Sequence, residues 1–206
     1  GHHVGLWYFD PYARQGKRSG AWMNAMREQQ RMTGDVPTIV SNNSNFIKGA
    51  EGTPVTISWG DAETMFHEFG HALHGLNSNV TYPSLSGTNT MRDHVEFPSQ
   101  VNEGWLSTPE VQNRFLKNSK GEVIPAALVA KMKKAATFNT GFSTVEAQAS
   151  AIVDMKLHLA GETPIDPKAF ETATLKELGM PAEIVMRHRI PHFGHIFSGD
   201  GYAAGY

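Results

Sequence analysis

The residues with the plainest chemical potential are His67, Glu68 and His71, which stand as His-Glu-Phe-Gly-His in an amphipathic stretch. On an α-helix, positions four apart lie about 40° apart around the axis and about 6 Å along it, so both imidazoles can face one ion. Zinc suits two such nitrogens, and a carboxylate between them can polarise a metal-bound water instead of ligating. The chain has no cysteine, so any metal must be held by His, Asp or Glu. An amphipathic helix that merely carries histidines is the plainer reading. Against it stand residues 53–59, whose alternating β-branched and small side chains predict an edge strand just before the helix. A zinc peptidase lays its substrate along such a strand.

A catalytic zinc needs a third protein ligand and an open position for water. One solution places a histidine six residues after the second, but that position holds Asn77. The other common solution is a carboxylate on a later helix. Asp93, His94, Glu96 and Glu103 are the candidates, and spacing does not choose among them.

The elements that must position these groups divide at about residue 60. Residues 4–10 read as a strand closed by Asp10-Pro11, 19–33 as a helix capped by Ser19, 38–40 as strand and 41–45 as an Asn/Ser-rich loop. Beyond 61 apolar residues recur at helical spacing. Asp61 as N-cap and Gly75 just past the end bracket the motif helix. Further helices are predicted at about 90–106, 109–117, 125–138, 143–160, 167–179 and 181–188, with a kink at Pro98. The fold class is therefore mainly α with a small β-sheet. Residues 1–206 form one catalytic domain, 1–60 giving the sheet plus a helix and 61–206 the helical, zinc-binding part.

With 18 Lys and Arg against 20 Asp and Glu the net charge is −2, which excludes a surface built to coat nucleic acid. No apolar run reaches the roughly 18 residues of a membrane span, and no charged-then-apolar leader opens the chain. A cytoplasmic location is the expectation. Both termini read as mid-domain sequence, so a fragment of a longer chain is expected.

Residues 67–75, then Leu85-Ser-Gly-Thr-Asn-Thr90 and Arg92-Asp-His-Val-Glu-Phe-Pro-Ser-Gln100, resemble the thimet oligopeptidase family of zinc metallopeptidases. Within it they are most similar to the bacterial peptidyl-dipeptidases, which release dipeptides from free C-termini. The likeness extends over Tyr8-Phe-Asp10, residues 17–22 and 138–142, Asp154-Met155, and His195 to Tyr206. It implies a zincin-like core in a larger helical channel, with one zinc held by His67, His71 and Glu96, and Glu68 as general base. It further implies that His195, Tyr202 and Tyr206 contact substrate and steady the oxyanion. Substrates would be short peptides, and the parent enzyme a monomer. The competing expectation is a folded zinc-binding fragment without turnover, because further residues complete the site.

Other residues invite weaker expectations. Arg92 could pair with Glu63 and lock the two ligand helices together, and Asp93 could orient a ligand imidazole. His74 is expected to line the core or channel, and His158, His188 and His192 carry no recognisable spacing. Arg187, Arg189 and Lys48 are cations available to a substrate carboxylate.

Overall fold

A computed structural model describes residues 1–199 and 201–205. The chain falls into two compact units, 1–124 and 125–206, each described by itself.

The first unit is built on a three-stranded mixed sheet: β1 (Gly5–Tyr12), β2 (Trp22–Arg27) and β3 (Thr38–Phe46), in the order β1-β3-β2. β1 runs parallel to β3 with Gly5 opposite Thr38, and β2 runs antiparallel with Trp22 opposite Asn43. Residues 41–45 are the middle of the central strand and not a loop. Their polar side chains are tolerated because they are used. Asn42 is 2% exposed, accepts from Trp7 Nε1 at 2.7 Å and donates to the Glu68 carbonyl at 2.6 Å. Lys17 Nζ binds the carbonyls of Asp10, Tyr12 and Ser44, tying β1 to β3. The helix expected over 19–33 is β2 instead. Its Ala25, Met23, Met26 and Arg27 are good helix formers, but propensity is a weak local preference that pairing with β3 outweighs.

α1 (Trp59–Leu76) carries the histidine motif. It starts before Asp61, because Ser58 is the N-cap and Asp61 completes a capping box: Ser58 Oγ accepts from the Asp61 N–H and Asp61 Oδ2 from the Ser58 N–H, each at 3.0 Å. It ends on Asn77, so Gly75 lies within the last turn. There Gly75 serves packing: a Cβ on it would meet Val40 Cγ1 of β3 at 2.9 Å. Residues 54–58 carry no strand pairing, so the expected edge strand is not formed.

The helix expected over 90–106 is two, α2 (Arg92–Val95) and α3 (Phe97–Leu106), broken at Glu96. Pro98 is the cause: it lacks the N–H that would reach back to His94, and it sits in the first turn of α3, where none is needed. α4 (Pro109–Phe115) completes the helices of this unit. The second unit contains α5 (Ala126–Ala136), α6 (Thr140–Leu159), α7 (Pro167–Glu177) and the short α8 (Gly201–Ala204), with a core of Val153, Met186, Ile190 and Ile196 to which α5 adds no buried residue. Residues 181–188 form turns and no helix, as the β-branched pair Ile184-Val185 disfavours one. No helix among the described residues is long and apolar enough to cross a membrane.

Candidate metal centre

α1 and α3 cross at Gly70, where a Cβ would come within 2.5 Å of Ser99 Cα and 2.9 Å of the Pro98 carbonyl oxygen. This contact brings three groups together. His67 Nε2 and His71 Nε2 each lie 3.1 Å from Glu96 Oε2, and the three donor atoms fall within 4.8 Å of one another. The rings stand nearly perpendicular, with centroids 4.9 Å apart. Ser99 Oγ donates to Glu96 Oε2 at 3.0 Å and so fixes the carboxylate. Two imidazole nitrogens and one carboxylate oxygen aimed at a common point are the donor set of a zinc site that keeps a position for water. Asn102 Nδ2 donates to the Phe66 carbonyl at 2.6 Å, so α1 is clamped from α3 as well as from Asn42 of β3.

The electrostatics follow from burial and pairing. Burial opposes protonation of His67, but its bonds to Glu96 and Glu103 outweigh this and push it up to about 9. Burial also favours the neutral form of Glu96, yet the bonds from His67 and His71 hold it well below the usual carboxylate range. Glu68 is 7% exposed. Its burial raises its pKa, the imidazoles pull it back and Glu96 pushes it further up. The shift moves this carboxyl towards the range in which it can exchange protons near neutral pH.

A pH dependence follows for protein stripped by chelator. A histidine whose pKa rises from 6.5 to about 9 on folding adds stability that is complete below about 6.5 and lost as the pH climbs through about 9. Glu96, depressed from 4.5, adds stability that is complete above about 4.5 and lost on acidification. Melting scans of the stripped protein should therefore show the midpoint falling between pH 7 and 9.5; a flat profile there would remove the His67 pairing from the folded state.

Among the candidates that spacing left open, Asp93 and His94 are exposed, Glu96 joins the two histidines, and Glu103 Oε1 lies 2.5 Å from His67 Nδ1 on the far side of the ring. Asp93 thus contacts neither imidazole among the described residues, whereas Glu103 contacts His67. The spacing of seven residues from Glu96, two helical turns, was the available signal. Glu63 accepts from Trp59 Nε1 on its own helix at 2.7 Å, and Arg92 is exposed, so their expected pairing is absent. Half-buried His74 lies in the wall of a cavity of about 560 Å³ with Leu73, His94, Phe97 and Trp105.

In the second unit His195 and Tyr202 share one aromatic cluster. Phe193 is stacked between His188, at 4.3 Å, and His195, at 4.8 Å, and Tyr202 stands edge-on to Phe193 at 4.9 Å. Asp154 Oδ2 accepts from the N–H groups of Tyr202 and Ala203 at 3.1 and 2.9 Å, pinning the start of α8. His158 Nδ1, one turn on from Asp154, bonds its carbonyl oxygen at 2.9 Å. Tyr206 lies outside the described residues. Arg189 is committed to Glu171 at 2.9 Å, and Lys48 lies over the Tyr12 ring. Arg187 stays exposed, 3.6 Å from Glu146.

A model of peptidase family M3 matches residues 1–206. The chain is 43% identical to a dipeptidyl carboxypeptidase of Salmonella typhimurium and 42% to that of Escherichia coli, in each case over 98% of its own length and 30% of the relative's. It is 34% identical to oligopeptidase A of Escherichia coli over the same shares. The chain thus spans about 30% of the length of these relatives.

Proposed function

The chain belongs to peptidase family M3, and from that premise we propose that residues 1–206 are the catalytic region of a zinc peptidase that releases dipeptides from the free C-termini of short peptides. The observation that carries the reading is the convergence of His67 Nε2, His71 Nε2 and Glu96 Oε2 beside a buried Glu68 on the same helix. His67, His71 and Glu96 would hold the zinc. When bound, zinc supplies a Lewis acid that makes water a nucleophile near neutral pH and polarises the scissile carbonyl.

Glu68 takes the proton that the attacking water gives up and passes it to the departing amine, so the leaving group departs neutral. Its raised pKa suits both halves of that transfer. His195 and Tyr202 hold the substrate, and the Tyr202 hydroxyl is a neutral donor for the oxygen that gains charge as the carbonyl is attacked. Burial lowers the pKa of His188, and Arg187 lowers it further against an opposing pull from Glu146, which favours the neutral ring against Tyr202. By the same family resemblance, Tyr206 is assigned a share in this substrate contact. The release of dipeptides in particular is supported by the similarity to the dipeptidyl carboxypeptidases.

Zinc content of the purified chain, read with cleavage of one peptide in free-acid and C-terminally amidated forms, tests the reading. One zinc per chain, with dipeptides released from the free acid alone, is the expected result. Equal cleavage of both forms would replace dipeptide release by endopeptidase action. Zinc without cleavage would establish metal binding without turnover, and failure to take up zinc would overturn the site.

A further inference from the structure

We propose that Glu103 is a positioning residue for the metal centre: it holds the Nδ1–H of His67 and thereby keeps His67 Nε2 turned towards the ligand point. The inference rests on the zinc reading above.

A neutral imidazole has one N–H, so it can offer the Nε2 lone pair to a metal only as the Nδ1–H tautomer. Glu103 Oε1, at 2.5 Å from Nδ1, is an acceptor for that hydrogen and favours that tautomer over the other. The grip comes from one rigid element. Glu96 and Glu103 stand seven residues apart at the head of α3 and two turns along it, which places them on one face. They touch opposite nitrogens of the same ring, so α3 brackets His67 from both sides. Asn102, next to Glu103, donates to the carbonyl of Phe66, next to His67, which fixes the two backbones at this level. The second histidine is held differently. His71 Nδ1 is buried and has no hydrogen-bond partner among the described residues, so the orienting carboxylate serves one ligand of the pair.

Two variants test this. Glu103→Ala removes the acceptor. Glu103→Gln keeps the size, removes the charge and brings an amide that can present its N–H to Nδ1 and so favour the wrong tautomer. Zinc dissociation constants are measured by competition with a chromophoric chelator, and circular dichroism checks that each variant is folded. Proton–nitrogen spectra of the histidine rings in the zinc-loaded protein report the tautomer directly. The expected result is roughly a 10–100-fold loss of zinc affinity in Glu103→Ala, a loss of at least several-fold in Glu103→Gln, and loss in both of the downfield, hydrogen-bonded Nδ1–H resonance that one histidine shows in the parent. A merely structural role would leave that resonance in place. Smaller changes in affinity in folded variants, or an unchanged resonance, would overturn the role of Glu103. If the parent chain itself took up no zinc, the zinc reading would fail instead.

Discussion

Replacing Glu68 with Gln should slow peptide hydrolysis by at least about 100-fold while leaving zinc affinity within a few-fold of the parent. Glutamine matches glutamate in size, so the buried position next to His67 stays filled and α1 keeps its packing. What the amide cannot do is accept a proton from water and return it to an amine. Glu68 is not among the three converging donor atoms, so the metal should stay. Metal content and steady-state rate, taken on one preparation freed of other proteases, check both halves. Undiminished hydrolysis would assign the proton transfer to another group, and loss of zinc would make Glu68 a ligand.

The second large effect is expected at Gly70. Alanine is better than glycine in a helix interior by about 1 kcal/mol, so propensity alone predicts that Gly70→Ala stabilises. The contact decides otherwise. The new Cβ would meet Ser99 Cα at 2.5 Å and Asn102 Cβ at 2.9 Å, and a backbone carbon cannot rotate away as a side-chain tip can. Overpacking of this kind costs about 1–3 kcal/mol, and relieving it pushes α3 off α1. Glu96 would move with α3 while His67 and His71 stayed on α1, so zinc affinity should fall together with the melting temperature. Gly104 on the same α3 provides the contrast, since a Cβ there meets nothing within 4 Å. Gly104→Ala should raise the melting temperature and Gly70→Ala should lower it. Thermal melts of the two variants beside the parent check this; if Gly70→Ala melted no lower than the parent, the close crossing would be wrong.

The contrast between Gly70 and Gly104 also shows what the sequence could reveal. The helix around His67 and His71 was legible because a four-residue spacing is a property of one helix and needs no partner. Spacing did not select the third donor or Glu103, because both depend on how α3 lies across α1; Glu96 was singled out only by the family resemblance, and Glu103 by nothing. By spacing, Asp93, His94, Glu96 and Glu103 look alike as candidates; the close approach at Gly70 puts Glu96 on one nitrogen of His67 and Glu103 on the other. The small sheet was legible from residues 4–10 and 38–40, but its other parts were not, for a related reason. Residues 41–45 carry the polar side chains of a loop, yet they sit in the central strand because Trp7 and the Glu68 carbonyl satisfy Asn42 there. Residues 22–27 read as helical, and their partner strand decided against it. The break at Glu96 was foreseeable in kind, since Pro98 acts through its own missing N–H. The aromatic cluster of His188, Phe193, His195 and Tyr202 joins residues from separate turns and has no periodic signature.

Two of the clamps on α1 are neutral. Asn42 and Asn102 hold the carbonyls of Glu68 and Phe66 at 2.6 Å each through side-chain amides, groups that neither gain nor lose a proton between acid and alkali and that salt screens little. The ligands, by contrast, must shed protons to bind a cation. Acid that protonates the histidines and Glu96 withdraws the stability of their pairing but leaves these two amide bonds on α1 in place. Part of the frame around the metal would thus outlast the protonation that releases it.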